Sequence, residues 1–347
     1  MRCTSLRTVG YYDDGKTICW SPKKYSKEFA TFQLPCGKCI SCRLENARQT
    51  AVRCVHEASM YEKNSFITLT YSEENLKSPK LVYRDFQLFV KKLRSQLYDN
   101  ELKKIFPNAR TQREARELAR TLQRSTRVSL QEKISVPVFV AGEYGDRKKR
   151  PHWHAIIFNW RPDDIQHSYT NDRGDKVFTS RTLETLWPLG KSELGSVTLE
   201  SAGYCARYAA KKLAHGKDGE HDYNPISRRS SKHAIGKKWI EKNWRDVFTY
   251  GQLKIEHRGE IITCGIPRYY EKWLKKHNLS EWERYVTQVK PKIQKEAQEK
   301  EERITKEEKL ADLKRSGLKG LAVKHHQARA KILASKFNQL LKNQKDF

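Results

Sequence analysis

No apolar run in this 347-residue chain approaches the roughly 20 residues that a membrane-spanning helix needs, which excludes an integral membrane protein of the helical kind. Acidic residues are scarce beside basic ones, with 41 Asp and Glu against 69 Lys and Arg. The formal charge of +28 and pI near 9.7 exceed what an ordinary solvated surface carries and point to a polyanionic partner. No Walker-type glycine loop occurs, so no nucleotide-driven helicase is fused to the chain. The opening residues lack the apolar stretch of a secretory signal. An intracellular chain is therefore expected, in which the eight cysteines are thiols or metal ligands rather than disulfides.

What is present sorts into four stretches. Residues 1–60 form an irregular Cys-rich segment that leads into a helix predicted from Ser41 to Lys63. Residues 61–215 carry the strongest periodicity. Ser65 to Tyr71 alternates apolar with hydroxyl residues, as a half-buried strand does. Phe86, Leu88, Phe89, Val90, Leu93 and Leu97 fall close to helical spacing and predict a helix over Arg84 to Tyr98.

Residues 99–133 read as a charged helical insertion, either a solvent-exposed hairpin or a nucleic-acid arm. Ile134–Glu143 and His152–Asn159 predict a strand hairpin across a basic turn. A polar loop, a short helix near Arg181, a strand over Gly195–Ser201 and a helix capped by Ser201 and Gly216 follow. The first six elements run β-α-β-β-α-β, which predicts an α+β fold: a ferredoxin-like split βαβ arrangement with an antiparallel central sheet, helices on one face and the other face open. Residues 216–288 suggest a small accessory region around a strand pair near 252–263. The tail, 289–347, is a charged, basic and loosely attached helical segment by composition.

His152 and His154 stand two apart on a predicted strand, so both side chains leave the same face, about 6 to 7 Å apart. Glu143 ends the preceding strand, and a hairpin would bring its carboxylate beside them. Two imidazoles and a carboxylate leave open coordination positions, as a catalytic metal site requires. Tyr204 and Tyr208 lie four apart on a predicted helix, their Cβ atoms roughly 5 to 6 Å apart, with Lys211 three residues further. A phenol with an ordinary pKa near 10 needs a cation to attack phosphorus, and Lys211, Arg207 and a metal-held phosphate would supply that charge. Tyr144 and Arg150, in a basic aromatic stretch, suit stacking and phosphate contact, and Lys212 adds charge.

Cys36, Cys39 and Cys42 form C-x2-C-x2-C. Zn2+ could be held there with Cys54 or His56 completing a tetrahedral set. Ordinary thiols are the competing reading, since the second C-x2-C of a zinc ribbon is missing.

With these motifs in order, the chain resembles the rolling-circle replication initiators of the HUH endonuclease superfamily, and within them the replication-associated proteins of the Microviridae, of gokushovirus type. Phe66–Tyr71 looks like the first motif of that family, Gly142–Gly145 through Arg150–Ala155 the second, and Tyr204–Lys211 the third. Pro35–Cys39, Ile235-Gly236, Trp239, Asp246-Val247 and Pro267–Tyr270 extend the similarity over roughly residues 30 to 275. Where relatives often carry Lys between the tyrosines, this chain has Arg207, a planar fork instead of a point charge.

The resemblance implies an HUH endonuclease domain over 61–215 that nicks single-stranded DNA at a phage replication origin, forms a 5′-phosphotyrosine and rejoins the product. It also implies Mg2+ or Mn2+, a host polymerase and helicase as partners, and the cytoplasm of a bacterial host. HUH transposases and relaxases share this chemistry. A non-catalytic single-strand-binding module is an alternative, and so is an iron oxygenase with two histidines and one carboxylate, against which the charge argues.

Overall fold

A computed structural model describes residues 3, 5–145, 149–172, 174–211, 225–230, 233–257, 259–315, 331–332, 334–335 and 339. The chain divides into two compact units. One comprises residues 1–49, 246–252 and 271–347, and the other comprises 50–245 and 253–270.

In the first unit, residues expected to be irregular form a small antiparallel sheet of β1 (Arg7–Tyr11), β2 (Ile18–Cys19) and β3 (Phe32–Leu34), in the order β2-β1-β3. Helix α1 (Ile40–Ala58) begins in this unit and ends in the other.

The second unit carries β4 (Asn64–Thr70), α2 (Tyr83–Ile105), α3 (Gln112–Leu118), α4 (Arg124–Lys133), β5 (Val138–Tyr144), β6 (Pro151–Phe158), β7 (Gln166–Thr170), β8 (Lys176–Thr179), α5 (Arg181–Leu186), β9 (Ser192–Gly195), α6 (Leu199–Lys211) and β10 (Ile226–Arg229). Helix α7 (Lys237–Tyr250) leads out of it, and the hairpin of β11 (Leu253–His257) and β12 (Glu260–Cys264) returns to it. Helices α8 (Arg268–His277), α9 (Leu279–Arg284) and α10 (Lys290–Arg315) complete the described chain.

Seven strands form one mixed-order sheet, β10-β5-β6-β4-β9-β8-β7, with neighbours antiparallel throughout. Strands β4 and β5, joined through α2, therefore run parallel with β6 inserted between them. Because side chains alternate across a strand, Ile67 and Leu69, Val138 and Val140, and Trp153, Ala155 and Ile157 share one face. They pack there on Phe86, Phe89 and Leu93 of α2 and on Leu183 and Leu186 of α5. Gly142 makes the tightest of these approaches possible, because a Cβ at that position would lie 2.5 Å from Cζ3 of Trp153.

The opposite face was expected to be open. It carries α6, which lies against β5 and β6 and buries Ala202, Tyr204, Cys205 and Ala206. Three boundaries also differ from expectation. The strand expected over Gly195–Ser201 occupies Ser192–Gly195, where Ser192 and Leu194 are buried. Val197 and Thr198 instead lead into α6, and Ser201 is not its cap. Thr198 accepts from the Ser201 amide at 3.2 Å while the Ser201 hydroxyl accepts from the Thr198 amide at 2.8 Å, a reciprocal capping arrangement. Gly216 lies outside the described residues.

The expected polar loop after β6 contains the β7–β8 hairpin. Helix α2 runs on to Ile105, into the charged stretch, where Leu102 packs with Ala115, Ala119 and Leu130. Asp99, 9% exposed, receives both Nε and Nη2 of Arg116, at 2.7 and 2.8 Å. The insertion is thus a small packed helical module rather than a bare hairpin. The tail is helical over Lys290–Arg315, but its start is anchored. Tyr285 is buried, its hydroxyl donates to Glu271 at 3.1 Å, and Lys290 reaches the same carboxylate at 2.7 Å.

Candidate active site

Sheet register assembles the site. Thr68 of β4 stands opposite His154 of β6 and Thr70 opposite His152, while on the other flank Glu143 of β5 stands opposite His152 and Ala141 opposite His154. All six positions are on the face beneath α6. The β5–β6 hairpin closes with the Gly145 amide donating to the Arg150 carbonyl at 2.9 Å, which fixes this register.

Ligand atoms of Glu143, His152 and His154 lie within 4.8 Å of one another. Oε1 of Glu143 is 3.0 Å from Nε2 of His154 and 3.4 Å from Nε2 of His152. Glu143 and His154 are buried, at 5% and 1% exposure, whereas His152 is partly open. Burial alone would raise the Glu143 carboxyl. Hydrogen bonds from His152 and His154, and their positive charge, outweigh it and hold the group below the ordinary carboxylate range. A carboxylate that stays charged in so buried a place is a ligand in waiting. Two imidazole nitrogens and an oxygen suit a divalent ion of borderline softness that keeps positions open for other oxygens.

Thr68 was not singled out from sequence as a site residue. Its Oγ1 lies 3.1 Å from Nδ1 of His154, the nitrogen turned away from the cluster, where an oxygen partner fixes the ring's orientation and tautomer. The alternation of hydroxyl and apolar residues in β4 was the available signal. Phe66 packs parallel to the His154 ring at 6.0 Å.

Tyr204 completes the cluster from above. Its hydroxyl lies 3.4 Å from Nε2 of His154, its ring meets the His154 ring edge-on at 4.9 Å, and it is 4% exposed. Tyr208 and Lys211 belong to α6, but their side chains are outside the described residues, as is Lys212 altogether. Arg207 is partly buried on α6. Tyr144 and Arg150 sit at the mouth of the hairpin and are engaged within the protein. The Tyr144 hydroxyl accepts from the Leu81 amide at 3.0 Å. Arg150 donates to the Tyr71 carbonyl at 2.7 Å and pairs with Glu73.

The cysteine set differs from expectation. Cys36, Cys39 and Cys42 stand together, but with Cys3 rather than Cys54. Cys42 and Cys54 lie on one continuous helix, α1, and twelve residues of helix rise about 18 Å, so they cannot share an ion. Cys54 is fully buried, which pushes its thiol up to about 12. His56 is likewise occupied: its ring stacks on Trp239 at 3.5 Å and its Nδ1 lies 2.9 Å from the Tyr270 hydroxyl.

A family model described as a replication-associated protein of the ORF2 type matches residues 106–213, a span that includes β5, β6 and α6. The chain is 42% identical to replication-associated protein VP4 of Bdellovibrio phage phiMH2K over 341 residues, 98% of each chain. It is 29% identical to replication-associated protein ORF2 of Spiroplasma virus 4, covering 76% of this chain and 74% of the relative. Identity to replication-associated protein ORF4 of Chlamydia phage 1 is also 29%, over 72% of this chain and 55% of the relative. No solved structure matches the chain.

Proposed function

The chain belongs to the replication-associated proteins of the Microviridae, and on that premise we propose that it is an HUH-type endonuclease that opens and rejoins single-stranded DNA at a phage replication origin. The observation that carries this reading is the Tyr204 hydroxyl standing 3.4 Å from a nitrogen of the Glu143, His152 and His154 cluster. A phenol at that place can attack a phosphate held by the cluster. The sheet order β5-β6-β4-β9, with helices α2 and α5 as its crossovers, supports the ferredoxin-like arrangement of such a domain.

In this reaction the tyrosine oxygen bonds to phosphorus, the bond from phosphorus to the 3′ oxygen breaks, and the leaving 3′ oxygen takes up a proton. The phosphodiester's energy is stored as a 5′-phosphotyrosine, and attack by a 3′-hydroxyl reverses the step. Glu143, His152 and His154 would hold Mn2+ or Mg2+, whose contribution when bound is to polarise the scissile phosphate. Thr68 orients the His154 ring. Lys211 balances charge on the attacking or leaving oxygen, and the charge of +28 attracts the strand. Tyr208 is the second nucleophile or a positioner of DNA, and the released 3′-hydroxyl primes synthesis by a host polymerase with a host helicase.

The test is incubation with an origin-bearing single strand and Mn2+, followed by denaturing electrophoresis. A denaturation-resistant adduct that Tyr204→Phe abolishes or greatly reduces is the expected result, with peptide mapping to identify the linked tyrosine. Binding without any adduct across divalent ions and origin sequences would reduce the protein to a single-strand-binding module.

A further inference from the structure

The four-cysteine cluster in the first unit lies apart in sequence from everything the proposed nuclease reaction uses. We propose that Cys3, Cys36, Cys39 and Cys42 form a structural Zn2+ site that pins the chain ahead of β1 to the start of α1. This inference stands whether or not the chain cleaves DNA.

The geometry fits a tetrathiolate. The four sulfurs lie within 4.8 Å of one another, and Cys3 and Cys39 are 3.7 Å apart, sulfur to sulfur. Zinc–sulfur bonds of about 2.3 Å arranged tetrahedrally place neighbouring sulfurs about 3.8 Å apart. All four are free thiols, and at 3.7 Å the closest pair is far from the roughly 2.05 Å of a disulfide. Four ligands make a closed set, which is the pattern of structural rather than catalytic zinc.

The local backbone is also shaped for thiolates. Amides of Lys38 and Cys39 donate to the Cys36 sulfur at 3.4 and 3.3 Å, and amides of Ser5 and Cys36 donate to the Cys3 sulfur at 3.4 and 3.2 Å. Two sulfurs from remote parts of the chain thus receive the same kind of support, two amide donors each. Such donors neutralise part of the charge that four thiolates bring to one ion. Gly37, at φ +73°, allows the turn that presents Cys36 and Cys39 together, a conformation that costs other residues strain.

Physical need points the same way. Strands β1, β2 and β3 have five, two and three residues. Among the described residues ahead of α1, only Val9 and Cys19 are buried hydrophobics. So little apolar burial cannot hold a sheet, and small modules of this kind use a metal or disulfides instead.

The experiment is metal analysis of the full-length chain purified with zinc present and then dialysed. To separate this site from the histidine cluster, the parent carries Glu143→Gln and His152→Ala. About one zinc per chain is expected in that parent and in its Cys54→Ala derivative. Cys3→Ser and Cys36→Ser derivatives should lose the ion to a chromophoric chelator that the parent resists. Co2+ substitution of the wild-type chain provides a readout that needs no cysteine variant: intense tetrahedral ligand-field bands and a thiolate-to-cobalt charge-transfer band are expected. Absence of retained zinc in the parent, retained iron in its place, a weak octahedral cobalt spectrum, or zinc content indifferent to Cys3→Ser and Cys36→Ser would each overturn the assignment.

Discussion

Replacing Thr68 with valine removes one hydroxyl and keeps the side chain's shape, and its effect follows from the two states of His154. Without a metal, Nε2 of His154 lies 3.0 Å from the Glu143 carboxylate, so that nitrogen carries the ring proton and Nδ1 accepts from Thr68. Ligation requires the Nε2 lone pair, so the proton must then sit on Nδ1, where the Thr68 oxygen, 3.1 Å away, accepts it. A threonine hydroxyl serves both states. Valine serves neither, and in the metal-bound state it leaves a buried N–H with no acceptor, at a cost of about 1–3 kcal/mol. Loss of such an outer partner weakens metal affinity or activity about 10- to 100-fold, which is about 1.4–2.7 kcal/mol. Mn2+ titration of adduct formation should show a raised metal requirement, with stability to denaturant changed by only about 1 kcal/mol. Thr70→Val is the control, because its hydroxyl donates to the Lys191 carbonyl and not to a histidine. An unchanged Mn2+ requirement in Thr68→Val, or an equal shift in Thr70→Val, would refute this account of the ring.

Three further outcomes are expected. Tyr204→Phe should leave single-strand affinity nearly intact while the covalent adduct is lost or strongly reduced, measured by gel shift and denaturing gel on the same samples. His56 is pushed down to about 3 by burial, so below about pH 6.5 the unfolded chain takes up a proton that the folded chain refuses. This residue therefore subtracts up to about 1.4 kcal/mol of stability per pH unit as pH falls from about 6.5 toward 3. Burial raises Glu57, which acts in the opposite sense, so the comparison to make is denaturant unfolding of wild type against His56→Gln, where the variant's decline should be shallower. Gly142→Ala gains about 0.4–1 kcal/mol from a stiffer unfolded chain but meets Trp153 at 2.5 Å. Overpacking of that kind costs about 1–3 kcal/mol, so a lowered melting temperature is expected, and a raised one would show that the indole can move aside.

The metal cluster was legible because strand alternation and hairpin pairing are local rules. His152, His154 and Glu143 needed only period two and a turn between them. Tyr204 was legible from helical spacing, although its approach to His154 depends on α6 lying across the sheet, which no local pattern encodes. Strands β7 and β8 were missed for a physical reason: every residue of β7 is exposed, so no face is buried to impress an alternation on the sequence. The β-branched pair Val197-Thr198 drew a strand to the wrong place because Thr198 serves as a helix cap. Cys54 could have been rejected from sequence alone. A helix running from Ser41 to Lys63 carries it three turns away from Cys42, and the remote Cys3 has no local pattern that pairs it with residue 36.

Helix α6 is followed in the described chain by β10, which pairs with β5, and preceded by β9, which pairs with β4. The helix that presents Tyr204 is therefore sewn into the same sheet at both ends, on opposite sides of the β6 strand that carries the histidines. A tyrosine bonded to a DNA strand under tension from a moving replication fork must bear mechanical load. Strapped in this way, the helix passes that pull to two separate strand ladders instead of peeling from one end, so the anchor that holds the DNA end is also the one least able to swing away from it.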